Sequence, residues 1–266
     1  MAQTAVSGTG ARPPLKWAGG KRWQVPRLRE IWRAHQHRRL VEPFCGGLAV
    51  VLGLGPPEAL LNDANSHLIN FYRWLKRGLV VDLPMENSRA AFESHRRRFN
   101  ELIKAGRTKS REAAALFYYL NRTGYNGLCR FNRQGAFNVP FGRYTSINYR
   151  TDFLAYRDVL ADWTFTNVDI ARVKIVADDF VYADPPYDVE FRQYGPLGFS
   201  WDDQVRTAER LAGHPGPVIL VNQATRRIER LYRSLGFRLR RLDGPRRISS
   251  SGDRQPAREI MATRNL

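Results

Sequence analysis

Four consecutive residues, Asp184-Pro185-Pro186-Tyr187, form the segment of this 266-residue chain best suited to chemistry. Proline offers no amide hydrogen and holds φ at about −65°, and a residue that precedes proline is pushed to extended backbone. The segment therefore reads as a stiff corner displaying acceptors, namely the Asp184 carboxylate and the Pro185 carbonyl. An exocyclic amine on a nucleobase has two N–H donors and a lone pair delocalised into the ring. Two acceptors holding those hydrogens concentrate electron density on the nitrogen and aim it at an incoming methyl group. Tyr187 adds an aromatic face on which an extruded base can stack, worth about 1–3 kcal/mol. The plain alternative is a proline turn closing a strand.

A second constellation lies upstream. Pro43-Phe44-Cys45-Gly46-Gly47 reads as a glycine turn between a strand and a helix. Such a turn brings backbone close to a ligand and opens a helix end that favours negative charge. Asp63, about 20 residues on, stands where ribose hydroxyls are bonded in nucleotide-binding sheets. Together they suit an adenosine-containing cofactor. The third glycine of the dinucleotide fingerprint is missing, which disfavours a pyrophosphate cofactor, and ordinary strand-turn-helix packing uses the same residues.

Alternating elements position these groups. Residues 22–37 read as a basic amphipathic helix with Val25, Leu28, Ile31 and Trp32 on one stripe. Short apolar strands are expected at 40–44, 59–61, 163–168, 180–183 and 218–221, and helices at 48–54, 65–75, 202–212 and 226–235. That alternation predicts an α/β fold with a mostly parallel sheet covered by helices on both faces. Gly46, Gly47, Asp63, Asp184 and Asn222 then fall at strand ends along one rim. Residues 88–150 interrupt the pattern. Helices at 88–106, N-capped by Ser88, and at 111–122 lead into a Gly/Asn/Arg-rich loop, which predicts a helical insertion between catalytic segments 1–87 and 151–266.

Composition narrows the partner. Lys and Arg number 43 against 25 Asp and Glu, a net charge of +18, which favours a polyanion. Arginines cluster at 96–98, 226–227, 238–241 and 246–247. Two cysteines, Cys45 and Cys129, and five scattered histidines support neither a zinc site nor a disulfide framework. No apolar run approaches a membrane span, and the first 14 residues do not resemble a secretory signal, so a cytoplasmic protein is expected.

Beyond these single motifs, the chain resembles the Dam family of DNA adenine-N6 methyltransferases over residues 15–260. The likeness is carried by Trp17-Ala18-Gly19-Gly20-Lys21, Glu42-Pro43-Phe44 with Gly46-Gly47, Asp63-Ala64-Asn65 and Asp184 to Tyr187. Its longest parts are Tyr119-Leu120-Asn121-Arg122, residues 124–130 and residues 137–144. The order of parts is that of the family's α group. The resemblance implies a Rossmann-like, S-adenosylmethionine-dependent methyltransferase with an inserted DNA-recognition domain, acting as a monomer on double-stranded DNA at GATC without a metal. Asp184, Pro185, Pro186 and Tyr187 would be catalytic. Trp17, Lys21, Phe44, Gly46, Gly47, Asp63, Asp169 and Asp184 would meet the cofactor, although at Asp169 the following Ile170 replaces the family's usual aromatic. Lys16, Tyr125, Asn126, Leu128, Arg130, Pro140, Arg143 and Tyr144 would meet DNA. Arg130 suits a guanine, Asn126 a base edge, and Leu128 or Tyr125 a wedge into the stack. Asn222 matches a strand-end residue and residues 247–252 a loop near the flipped base.

Cytosine-N4 methylation needs the same amine-gripping corner, and an inactive DNA-binding relative is a further alternative. Aspartate rather than serine before Pro-Pro, and the recognition segment, favour adenine. Cytosine-C5 chemistry needs a Pro-Cys nucleophile, whereas Cys45 follows Phe44 and Cys129 follows Leu128.

Overall fold

The computed structural model describes residues 10–188, 198–244 and 257–266. These form seven strands of one sheet: β1 (Leu40–Glu42), β2 (Ala59–Asn62), β3 (Trp163–Thr166), β4 (Phe180–Ala183), β5 (Val218–Gln223), β6 (Arg238–Gly244) and β7 (Ala257–Arg264). Their spatial order is β3-β2-β1-β4-β5-β7-β6. The first five are parallel, and β7 runs antiparallel between β5 and β6.

Side chains alternate across the sheet. Phe180, Tyr182, Ile219, Val221 and Met261 join the hydrophobic cluster on one face, while Val181, Ala183, Val218, Leu220, Ile260 and Ala262 join the other. Strands apolar on both sides require cover on both sides. The first face is covered by α1 (Val25–Trp32), α2 (Ala49–Leu54) and α3 (Ser66–Lys76), and the second by α7 (Trp201–Ala212) and α8 (Arg226–Ser234). The expected α/β architecture is therefore present.

Between β2 and β3 come α4 (Arg89–Lys104), α5 (Arg111–Thr123) and the short α6 (Tyr156–Val159). Ser88 caps α4 as expected, its Oγ accepting from the Ala91 amide at 3.1 Å, a contact worth about 1 kcal/mol. Phe92, Phe99 and Phe117 of these helices share one cluster with Leu40 and Phe180 of the sheet. Phe71 of α3 stacks on Tyr118 of α5 with centroids 5.7 Å apart. The interrupting helices thus extend the first face of the core.

Two departures from the sequence reading matter. The helix expected over 22–37 is a 3-10 turn at Arg22–Gln24 followed by α1, which ends at Trp32. There the amides of His35 and Arg38 bond carbonyls three residues back, tightening the chain toward β1. Strands β6 and β7 were not expected at all.

Candidate active site

From β1 the chain passes to β2 and β3 on one side of the sheet, then returns to β4 and β5 on the other. The carboxyl ends of β1 and β4 therefore flank the topological switch point, where sheets of this kind bind ligands. Gly46-Gly47 follow β1, Asp63 follows β2 and Asp184 follows β4, so the sequence-selected residues do gather on one rim.

The glycine turn is shaped around Trp17. Gly46 has φ +44°, and a Cβ there would lie 2.7 Å from Trp17 Nε1. A Cβ on Gly47 would lie 2.7 Å from Trp17 Cβ. Asp63 closes the turn from the other side, Oδ2 accepting from the Gly46 amide at 3.1 Å and Oδ1 from the Asn65 amide at 2.9 Å. Burial raises the Asp63 pKa, and those two amides oppose the shift. Tyr72 adds a bond from its hydroxyl to the Gly46 carbonyl at 2.5 Å.

At the proline corner, Asp184 Oδ2 meets Lys21 Nζ at 2.8 Å, and the lysine is only 4% exposed. Lys21 also donates to the Gly19 carbonyl at 2.7 Å. The other Asp184 oxygen, Oδ1, is buried without a hydrogen-bond partner among the described residues. Burial raises the Asp184 pKa, and the Lys21 charge restrains the rise. Glu42, at the end of β1, is also buried with Oε1 unpartnered among the described residues, and burial lifts its pKa well above the usual carboxylate range. Tyr187 donates its hydroxyl to Glu259 Oε1, and Lys21 Nζ stands 4.7 Å from its ring centroid.

Behind the corner, the Pro186 carbonyl accepts from Gln204 Nε2 at 2.7 Å. Gln204 Oε1 accepts in turn from Asn222 Nδ2 at 3.0 Å. Asn222 is thus a buried support for the corner rather than an open strand-end group. Asp188 pairs with Arg227, whose guanidinium lies 4.6 Å from the Trp201 ring centroid. Phe44 meets Phe199 edge-on at 5.7 Å. Asp169 has other company: it caps the turn Ile170–Arg172 and forms a two-pronged ion pair with Arg206 at 2.7–2.8 Å.

The loop after α5, expected from the sequence to recognise DNA, folds back on that helix. The Tyr125 amide donates to the Pro140 carbonyl at 2.9 Å, and the Asn138 amide donates to the Arg130 carbonyl at 3.1 Å. Arg130 itself bonds Asn138 Oδ1 at 2.9 Å. Asn126 and Arg143 both have φ +51°. Tyr125, 45% exposed, stands out, whereas Leu128 packs partly against the core, so of the two expected wedges Tyr125 is the freer. Buried Asn121 clasps this loop to the segment before the glycine turn. Its Oδ1 accepts from the Lys16 amide at 2.9 Å, and its Nδ2 donates to the carbonyls of Lys16 at 2.8 Å and Gly127 at 3.1 Å. Lys16 Nζ lies 3.7 Å from the Tyr144 ring centroid and donates to the Arg122 carbonyl at 2.9 Å. Burial, aided by the Arg122 charge, lowers the Lys16 pKa to about 8.

Sequence reasoning passed over Gln24 and Glu259 and gave Glu42 no separate role. The available signal was a carboxylate next to the apolar run Ile260-Met261-Ala262. The segment 247–252 lies outside the described residues. Among the described residues no cluster of His, Cys, Asp and Glu is arranged to hold a metal, and no helix is long and apolar enough to cross a membrane.

Comparison with known proteins gives one consistent result. A family model for D12 class N6 adenine-specific DNA methyltransferases matches residues 17–248. The retron Ec67 DNA adenine methylase of Escherichia coli is 34% identical over 270 residues, covering 93% of this chain and 90% of that relative. A DNA adenine methylase of Vibrio cholerae serotype O1 is 34% identical, covering 93% of this chain and 94% of its own length. The type II methyltransferase M1.LlaDCHI of Lactococcus lactis is 31% identical, with 95% of each chain covered.

Proposed function

The chain belongs to the D12 class of N6 adenine-specific DNA methyltransferases, and from that premise we propose that it methylates a flipped adenine at GATC in duplex DNA, using the corner Asp184 to Tyr187. Members of this family use S-adenosylmethionine, and the residues present fit that molecule. Gly46 and Gly47 leave room only for the Trp17 ring, which supports a flat edge to a nucleoside slot. Asp184 Oδ1 and Glu42 Oε1 are buried acceptors without partners among the described residues, suited to a cationic ligand or an amine. Trp17, Lys21, Phe44, Gly46, Gly47 and Asp63 would hold the cofactor, with Asp169 at its margin. When bound, it supplies a sulfonium methyl to an amine nitrogen.

The chain's own part is orientation. The Asp184 carboxylate and Pro185 carbonyl accept the two N6 hydrogens of adenine, and Tyr187 stacks on the base. Alignment of reactants supplies about 7–11 kcal/mol in favourable cases. Residues 88–150 form the recognition insertion, where Tyr125, Asn126, Leu128, Arg130, Pro140, Arg143 and Tyr144 meet DNA, joined by Lys16 from the first segment. Segments 1–87 and 151–266 form the catalytic part.

The observation that carries this reading is Asp184 Oδ1, an unfilled acceptor at the switch point beside Tyr187. Asp184→Ala is expected to abolish tritium transfer from labelled cofactor to DNA while leaving cofactor binding within about threefold of wild type. Retained turnover would remove Asp184 from the mechanism. Digesting the product to nucleosides must give N6-methyladenine, and long-read sequencing of methylated plasmid must place it in GATC.

A further inference from the structure

We propose that Glu259 is a positioning residue for methyl transfer, fixing the Tyr187 ring through the tyrosine hydroxyl. The inference rests on the assignment of Asp184 to Tyr187 as the catalytic corner.

Glu259 is a carboxylate, 6% exposed, on the antiparallel strand β7, paired with Gln223 of β5 and Leu242 of β6. Its neighbours Ile260, Met261 and Ala262 are buried apolar residues. A carboxylate at such a position is costly to bury unless its oxygens are used. Here both oxygens face the site. Oε1 accepts the Tyr187 hydroxyl and lies 4.0 Å from Lys21 Nζ, and Oε2 accepts from Gln24 Nε2 at 3.1 Å. Gln24 Oε1 accepts in turn from the hydroxyl of Tyr182, two residues before Asp184, at 3.2 Å. On the remaining side, a Cβ on Gly244 would lie 3.2 Å from the Glu259 carboxyl carbon, so backbone closes over the group.

One carboxylate therefore joins the Lys21–Gln24 segment, β4 and the proline corner. Tyr187 is held at three points: its backbone follows two prolines, its ring lies beside Lys21, and its hydroxyl is bonded to Glu259. Without the last, the ring is free to swing about its side-chain torsions. A stacking platform that moves takes the base amine with it, away from Asp184 and Pro185.

The test compares wild type with Glu259→Leu, Glu259→Gln, Tyr187→Phe and the double variant Glu259→Leu/Tyr187→Phe. Single-turnover transfer rates are corrected for the fraction of each protein that binds cofactor. Glu259→Leu should lower the rate about 10–100-fold, the scale of a misplacement of about 1 Å, with KM for DNA changed by less than about threefold. Glu259→Gln, which can still accept the hydroxyl, should recover most of the loss. Tyr187→Phe should be slowed, and the double variant should be no slower than the slower single variant. A wild-type rate in Glu259→Leu, or a double variant slowed by the product of the single effects, would overturn the proposal. If Glu259→Leu does not fold, Tyr187→Phe decides, since a wild-type rate there removes the hydroxyl contact from the mechanism. Asp184→Ala in the same assay separates the two failures: an inactive Asp184→Ala beside an unaffected Glu259→Leu leaves the corner standing and ends the role of Glu259.

Discussion

Adding one methyl group at Gly47 should weaken both the fold and cofactor binding. A Cβ there would sit 2.7 Å from Trp17 Cβ and 3.1 Å from its Cγ, whereas carbon atoms settle at about 3.5–4.0 Å. The atoms in the way lie at the root of the tryptophan side chain, so a rotamer change cannot clear them. The backbone at Trp17 must withdraw by about 1 Å, with Lys16 on one side and Lys21 a few residues on. Forced overpacking costs about 1–3 kcal/mol, equivalent to a factor of about 5–150 in an equilibrium constant. Urea unfolding and calorimetric titration with S-adenosylmethionine should both register Gly47→Ala on that scale. Trp17→Gly removes the Cβ and Cγ that the new methyl would strike, so Trp17→Gly/Gly47→Ala should unfold at nearly the same urea concentration as Trp17→Gly alone. Wild-type stability and affinity in Gly47→Ala, or strictly additive losses in the double variant, would show that Trp17 is not seated on the turn.

Other tests bear on charge and recognition. Burial raises the Glu42 pKa above its unfolded value, so its contribution to stability is fully present below the unfolded pKa and is lost as pH rises through the folded one. Glu42→Gln should therefore gain on wild type in urea unfolding as pH rises above the ordinary carboxylate range, and a difference independent of pH would contradict a buried acid. With the Lys16 pKa lowered to about 8, its charge fades as pH rises from 7 to 9. DNA affinity measured by fluorescence anisotropy at fixed ionic strength should fall over that range in wild type but hold in Lys16→Arg, whose guanidinium stays charged. Arg130→Ala should lower kcat/KM for GATC relative to sites altered at one guanine by about 1–3 kcal/mol, and unchanged discrimination would exclude a guanine contact.

Strand β4 was legible at both ends because Phe180 to Ala183 is apolar on both faces and stops at a charged residue before proline. The start of α4 was legible through its polar cap, Ser88. The pair β6 and β7 was not. Arg238, Arg240 and Arg241 read as a charge cluster, yet at the sheet edge they flank Leu239 and Leu242 on a strand whose outer positions face water. Arg241 there pairs with Glu229 of α8. Missing β7 meant missing Glu259, since nothing local says that a glutamate beside three apolar residues turns toward Tyr187. The ion pair of Lys21 with Asp184 was hidden for a related reason: proximity across the switch point comes from strand order, which periodicity does not encode. Asp169 was read from a family match, and its ion pair with Arg206, which only α7 brings near, was not legible.

The asparagine clasp at position 121 has a consequence for how errors are handled. A single amide side chain holds the loop after α5 at Gly127 and the backbone at Lys16, whose neighbour Trp17 packs on the glycine turn Gly46-Gly47. Under the proposed function, a duplex that pulled this loop off its seat would disturb the methyl-donor side in the same motion. Fidelity in such an arrangement would be expressed in turnover as well as in grip, so that a near-match sequence would be held firmly yet modified slowly.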